Sequence, residues 1–415
     1  MDNSLKIDSF LRFGYFLNYK GKLNILDKIN QDESFLSMEL PEIVEEFDKV
    51  FLKVIEKSFR SNEMNVVPLS GGYDSRALIA GLLEFTEAKN IYTYTFGVEN
   101  TLDFEIGNRL ANNLGTNHTP ISLSNMNYDL ENMIGISKRI DHQSLLFMHG
   151  PIKLLDEYYK GASIWSGFMG GVIGGSQYYN NDNLEKVYES FIEENILVKS
   201  YDLTSYSMND LKRLIEIPGK SNMGTLTLNE MIDIQNKQEK YLAPHVLVSG
   251  FNYKTPFIDK DILNFVFNIK GEYRENKYFY KKWLLTKYPQ LFAIGTKNTF
   301  GLPLKSSHFK KMIARFKNKS TSILSSKFNM VNPYTNYFNF NKEIITNKSL
   351  NSIVKSQLKD LKERSILSYN PEEIYKKHIL LKGKYGDALI ALTSLEIHFK
   401  SAEANHEDRW MKNLM

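Results

Sequence analysis

The sequence predicts an α/β fold: a parallel sheet flanked by helices, followed by a mostly helical C-terminal part. Two observations carry this. Between Val66 and Phe168, short β-branched or aromatic runs alternate with helical stretches of about 10–15 residues, the rhythm of a parallel sheet. From Leu184 onward the strand-like runs stop and helical periodicity takes over. At 415 residues and 42% hydrophobic content, the chain has material for a sizeable core.

The elements follow in order. The aromatic-rich run FLRFGYFLNY, from Phe10, is expected to pack on the main body. From Leu40 to Phe59 the spacing puts Ile43, Phe47, Val50 and Val54 on one face of an amphipathic helix. Val66–Leu69 reads as a strand and Ser75–Phe85 as a helix. A second strand starts at Asn90. A helix from Asp103 to Leu114 is closed by Gly115, as a C-cap glycine closes one. NHTPISL, from Asn117, is the third strand. Met148–Tyr159 leads to a fourth at Ala162. After Gly175, SQYYNNDN reads as a polar loop. NLEKVYESFIEENI and LNEMIDIQNKQEKYL are helical. HFKKMIARFK places Phe309, Met312, Ile313 and Phe316 on one helical face and lysines on the other. The Asn-rich stretch 325–351 reads as loop, and ALIALTSLEIHF as a buried helix.

One string carries more than fold. VVPLSGGYDSRALIAG ends a strand, places Gly71 and Gly72 back to back, adds Asp74 and Ser75, and starts a helix. A glycine pair after a parallel strand lets the backbone approach a bulky anion without Cβ interference. The helix then turns its free N–H groups and positive dipole end toward that anion. A bare Asp74 would repel phosphate unless it holds Mg²⁺, which takes one or two carboxylates beside phosphate oxygens. Ser70 and Ser75 can donate hydroxyl hydrogen bonds. Alone, a Gly-Gly pair is an ordinary tight turn with an acidic cap; the full Ser-Gly-Gly-x-Asp-Ser string after a strand is far more restrictive. Gly219-Lys220-Ser221 lacks the upstream P-loop glycine and a preceding strand, and reads as a turn. No GxGxxG, GxSxG or HExxH occurs.

Composition removes several chemistries. The chain has no Cys, which excludes disulfides, thiolate zinc sites, Cys nucleophiles and persulfide chemistry. The N-terminus lacks a signal-peptide pattern and no apolar run reaches membrane-spanning length, so a cytoplasmic protein without membrane contact is expected. A net charge of +4 suits an anionic ligand and is too weak to argue for nucleic acid.

SGGYDS resembles the signature of the PP-loop ATP pyrophosphatases, the adenine nucleotide alpha hydrolase-like fold, which cleave ATP between its α and β phosphates. More of the chain, about Glu45 to Lys400, is similar to the synthetase domain of the asparagine synthetases. YTYTFGVENTLDFEIGNRLANNLGTNH looks like its second strand, acidic pair (Asp103 and Glu105) and Leu114-Gly115…His118 pattern. WSGFMGGVIGGS resembles its later Ser-Gly loop. TPFID, ending at Asp259, resembles its Pro-Phe-Leu-Asp motif, with capping of the next helix as the plain alternative. The resemblance implies a short N-terminal segment (1–45), a nucleotide-binding α/β core (46–180) and a helical extension (181–415).

It also implies an activity: an AMP-forming carbon–nitrogen ligase. A carboxylate is adenylated by MgATP, pyrophosphate leaves, and ammonia or an amine completes an amide. Ser70, Gly71, Gly72, Asp74 and Ser75 would cradle pyrophosphate, with Asp74 the Mg²⁺ ligand. Leu69, Phe96 and Gly97 would border the adenine, and Ser166 and Gly167 the ribose or α-phosphate. Lys297 would face the pyrophosphate and Lys277 the substrate; with Asp74 these are the catalytic candidates.

Two departures from the family pattern follow. The N-terminal glutaminase domain and its Cys are missing, so nitrogen is expected from ammonia, a separate glutaminase subunit, or an amine on the substrate. In SGFMGGVIGG, Gly170 and Gly171 stand where the family carries an acid, and Tyr73 and Arg76 are unusual in the first motif. A carboxylate other than aspartate, on a sugar acid, peptide or secondary metabolite, is as plausible a substrate. The alternatives are an altered or inactive homologue serving as a binding subunit, and a PP-loop enzyme acting on tRNA.

Overall fold

The computed structural model describes residues 3–124, 126–179, 183–219, 223–328, 332–334, 338–404, 409–412 and 414. Asn180–Asp182 of the expected polar loop, and Lys220 and Ser221 of the expected turn, lie outside the described residues. The fold is α/β, with one five-stranded parallel sheet flanked by helices. The strands are β1 (Asn65–Pro68), β2 (Ile91–Gly97), β3 (Asn117–Ser122), β4 (Ser163–Trp165) and β5 (Asn252–Lys254). Their order is β3-β2-β1-β4-β5, and Val66 at the centre pairs with Tyr92 on one side and Ile164 on the other. β5 falls in the region read as helical; three residues are too few to leave a readable period.

The chain lays down β1, β2 and β3 in one direction and β4 and β5 in the other. The order therefore reverses between β1 and β4. In open α/β sheets ligands bind at such a reversal, beyond the carboxyl ends of the strands. The loops leaving β1 and β4 there are Leu69–Tyr73 and Ser166–Met169, two of the segments singled out from sequence.

Helices close both sides. The Leu40–Ser58 helix buries Ile43, Phe47 and Val54 as the spacing requires, and the rings of Phe47 and Phe51 lie 4.7 and 5.0 Å from Trp283. The Leu102–Leu114 helix ends at Gly115 with φ 74°, the left-handed cap that glycine adopts without strain. The Asn3–Phe13 helix is tied to the main body, with the Phe10 ring 5.3 Å from His398 on the buried Gly386–Ala404 helix.

One sequence reading is corrected. The stretch 325–351 is not a loop throughout, since Phe340–Thr346 is a helix and another runs from Lys348 to Glu363. Its asparagines mark helix starts: Asn339 and Asn347 accept hydrogen bonds from the backbone N–H of Asn341 and Leu350. The expected His308–Phe328 helix forms, and its apolar face is turned outward; Phe309 and Phe316 are 64% and 66% exposed.

Candidate active site

The glycine loop is held from both sides. Gly72 N–H donates to Ser70 Oγ at 3.2 Å, and Ser70 N–H to Ser75 Oγ at 3.3 Å. Gly71 N–H donates to Asp103 Oδ1 at 3.0 Å, and the other carboxylate oxygen of Asp103 pairs with Lys297 Nζ at 2.6 Å. Lys297 N–H closes the ring by donating to Gly71 O at 2.8 Å. Glycine suits Gly71 here, because a Cβ would stand 3.0 Å from the Asp103 carboxylate and 3.1 Å from Lys297, so that one of them would have to shift. The Asp74–Leu83 helix then starts with its first N–H groups free of intrahelical partners.

Arg76, the unusual residue of the motif, explains how Lys297 reaches the loop. Its guanidinium is fully buried and donates to Leu291 O and Ile294 O at 2.9 Å and to Gly295 O at 2.6 Å. Burial brings its pKa down to about 10. One side chain on the loop helix thus fixes the segment that delivers Lys297.

The loop after β4 lies over Asp74. A Cβ on Gly170 would come within 2.8 Å of the Asp74 carboxylate, and one on Gly167 within 3.0 Å of its Cβ. Asp74 Oδ1 accepts from the hydroxyl of Tyr280 at 3.0 Å. Burial raises the Asp74 pKa, opposed by the Lys277 ammonium and then by the Tyr280 hydrogen bond. Gly171, where an acid was expected, faces the Lys277 ammonium instead: a Cβ there would sit 3.7 Å from Lys277 Nζ. Asn276 and Lys277 take φ of 51° and 60°, a costly pair for residues with side chains. That backbone starts the helix bearing Tyr280 and turns Lys277 toward the β4 loop.

Beyond the carboxyl ends of β1 and β4 opens a cavity of about 560 Å³. Ser70, Gly72, Asp74, Ser75, Phe96, Ser166 and Gly167 line it, so sequence-chosen residues from three segments converge: the glycine loop with its helix, the end of β2, and the loop after β4. Leu69, Gly71, Gly97, Lys277 and Lys297 do not line it. Leu69 and Gly97 are backbone supports: Leu69 N–H donates to Tyr94 O, and Gly97 O accepts from Leu123 N–H. Asp259 caps the Lys260–Val266 helix by accepting from Asp261 N–H, and His118 is held between Thr93 Oγ1 and Asn108 Oδ1.

Sequence reasoning missed the far wall. His149 and His245 line the cavity with ring centroids 4.3 Å apart, and both reach the Ser144 hydroxyl, at 3.0 and 3.1 Å. Burial keeps both imidazoles neutral, His149 well below the usual range and His245 down to about 4. Isolated histidines 96 residues apart give no readable spacing. Lys237 and Gln238 enter from a π-helical segment, Ile234–Leu242, a rare form frequent at functional sites. No sequence period announces it.

Asp233, the residue just before that segment, accepts from Gln238 Nε2 at 2.8 Å, and its pKa is raised by burial from 3.8 to about 6. A raised carboxyl pKa means the folded state binds the extra proton. The stabilisation is full below the unfolded value near 3.8 and is lost as pH rises through 6. Relative to Asp233→Asn, the wild type should lose about 3 kcal/mol between pH ~4 and ~7.5. Urea unfolding of both across that range checks this; parallel pH profiles contradict it.

Asp74 is the cavity's one carboxylate, and no cluster of three His, Cys, Asp or Glu suited to a metal is found, both among the described residues. A magnesium ion arriving with phosphate oxygens, needing one or two carboxylates, fits that donor set; an all-protein metal site does not. No helix among the described residues is long and apolar enough to cross a membrane. No protein-family model matches the chain, and no curated protein matches it.

Proposed function

We propose that the protein is an ATP-dependent, AMP-forming amide ligase of the asparagine synthetase-like, PP-loop type. The observation that carries the reading is the convergence of the Ser70–Ser75 loop and the Ser166–Gly171 loop on Asp74 at the reversal between β1 and β4. Free N–H groups at the start of the 74–83 helix, with the Ser70 and Ser75 hydroxyls, suit a polyphosphate. Asp74 would hold the magnesium ion, which supplies charge neutralisation on the phosphates. Phe96, on the cavity wall against Gly150, offers a flat face to a base.

The chain's own groups do the rest by position and charge. Lys297, directed by Asp103 and Arg76, places an ammonium at the loop where pyrophosphate would leave. Lys277 places a second at the Gly171 edge, where a substrate carboxylate would enter. An ammonium in the place of the family acid favours an anionic substrate over a cationic one. Ammonia or an amine on the substrate, or a separate glutaminase subunit, would supply nitrogen.

The products test this. Incubation with MgATP, candidate carboxylates and hydroxylamine as the trapping amine should release AMP and pyrophosphate in equal amounts with a hydroxamate. Release of ADP and phosphate would exclude the reading.

A further inference from the structure

The net charge of +4 conceals a sharp asymmetry. Residues 276–342 contain 13 Lys and Arg and not one Asp or Glu, so the rest of the chain carries −9. This basic stretch includes Lys277, Lys281 and the whole His308–Phe328 helix. Lys277 and Lys281 line a cleft of about 300 Å³ with Asn276 and Ser176, and Ser176 also lines the cavity containing Asp74. Burial, then the Lys311 and Lys277 ammoniums, lower the pKa of Lys281, so Lys311, on the partly buried side at the start of the helix, faces the cleft lysines, while Lys310 beside it is exposed at the edge of the stripe.

The helix is mounted the wrong way round for a core element. At about 100° per residue, Phe309, Met312, Ile313 and Phe316 share one side and Lys311, Ala314, Asn318 and Ser322 the other. The small and polar side is the partly buried one. The apolar side is turned out, with Met312 and Ile313 41% and 51% exposed beside the two phenylalanines. Lys310 and Lys317 border this stripe on one flank, Arg315 and Lys319 on the other. A surface helix ordinarily turns its apolar stripe inward.

We propose that this helix and the Lys277–Lys281 cleft form a docking surface for an acidic, amphipathic peptide segment that carries the substrate carboxylate to the cavity. What the segment delivers rests on the ligase reading; its binding does not. Exposed apolar side chains at the centre of the stripe gain nothing from a nucleic acid backbone. A bilayer could meet the helix but is too flat to follow the cations into the cleft. A flexible chain can do both, burying leucine-like anchors on the stripe and pairing its carboxylates with the flanking and cleft lysines.

The test uses a fluorescein-labelled peptide of about 18 residues, long enough for about five helical turns, with leucines on one face and glutamates elsewhere. Anisotropy should show binding that weakens as salt rises from about 50 to about 300 mM. It should weaken roughly tenfold or more in Phe309→Asp/Phe316→Asp, and in Lys277→Ala/Lys281→Ala. The Phe309 and Phe316 positions are solvent-exposed, so that variant should fold, and it should bind MgATP like the wild type. A polyglutamate of equal charge should bind at least about tenfold more weakly than the peptide. Peptide binding untouched by both variants, no peptide binding, or binding only to phosphatidylglycerol vesicles or to single-stranded RNA would overturn the proposal. A protein that binds the peptide but not MgATP would keep the docking surface and lose the ligase reading.

Discussion

Arg76→Ala should cost the fold about 3–5 kcal/mol: three charge-assisted hydrogen bonds of about 1.5–3 kcal/mol each are lost, less the desolvation cost that the buried cation no longer carries. The guanidinium is fully buried, and three backbone carbonyls, of Leu291, Ile294 and Gly295, accept from it. Removing it leaves those carbonyls without the donor they have now, and the contacts of Leu291 and Gly295 are buried. It also removes a cation 5.7 Å from the Phe292 ring centroid. Arg76→Lys should recover only part of the loss. One ammonium on a flexible stem cannot reproduce a planar fork with two nitrogens aimed at three oxygens. Urea midpoints of the three proteins decide this: a loss under about 1 kcal/mol in the alanine variant would show that the 291–295 segment is held by something else. Turnover should fall with stability, because that segment places Lys297.

Asp74→Asn should do the opposite, abolishing turnover while leaving the fold as stable as before or slightly more so. The side chain is isosteric and its amide oxygen can still accept from Tyr280. Burial of the carboxylate opposes its charge, as its raised pKa records, so neutralising it removes a desolvation cost. What is lost is the cavity's one carboxylate among the described residues, the group that on the proposed reading would hold Mg²⁺ against phosphate. A thousandfold or greater loss of AMP formation, about 4 kcal/mol or more in barrier, is expected. An inactive but fully folded variant separates this role from a structural one. A variant that turns over normally would remove Asp74 from the machinery.

The sheet and the two loops around Asp74 were legible because each rests on local chemistry. Val66–Leu69 had to be extended, and Gly71-Gly72 had to turn. Gly115 had to end a helix, and the structure gives it φ 74°. β-branched and aromatic runs marked four of the five strands. The missed parts depend on contacts distant in sequence. Arg76 meets carbonyls 215 to 219 residues away, and Asp103 meets Lys297 194 residues away. His149 and His245 converge from separate elements, and the π-helical turn at Ile234–Leu242 leaves no period of its own. The misreading of 325–351 has a simple cause. Asparagine is both a loop residue and a preferred N-cap, and here Asn339 and Asn347 serve as caps. The face of the 308–328 helix was found correctly by its period, but period alone says which residues share a side, not whether that side is covered.

Calorimetric titration of MgATP, and of an analogue that cannot be cleaved between the α and β phosphates, into wild type and Asp74→Ala tests the central claim most directly. The account predicts saturable binding of both ligands to the wild type, dependent on magnesium, and loss of that binding in the variant while its circular dichroism is unchanged. A correctly folded wild type that binds neither ligand, or a variant that binds both as tightly, would contradict it.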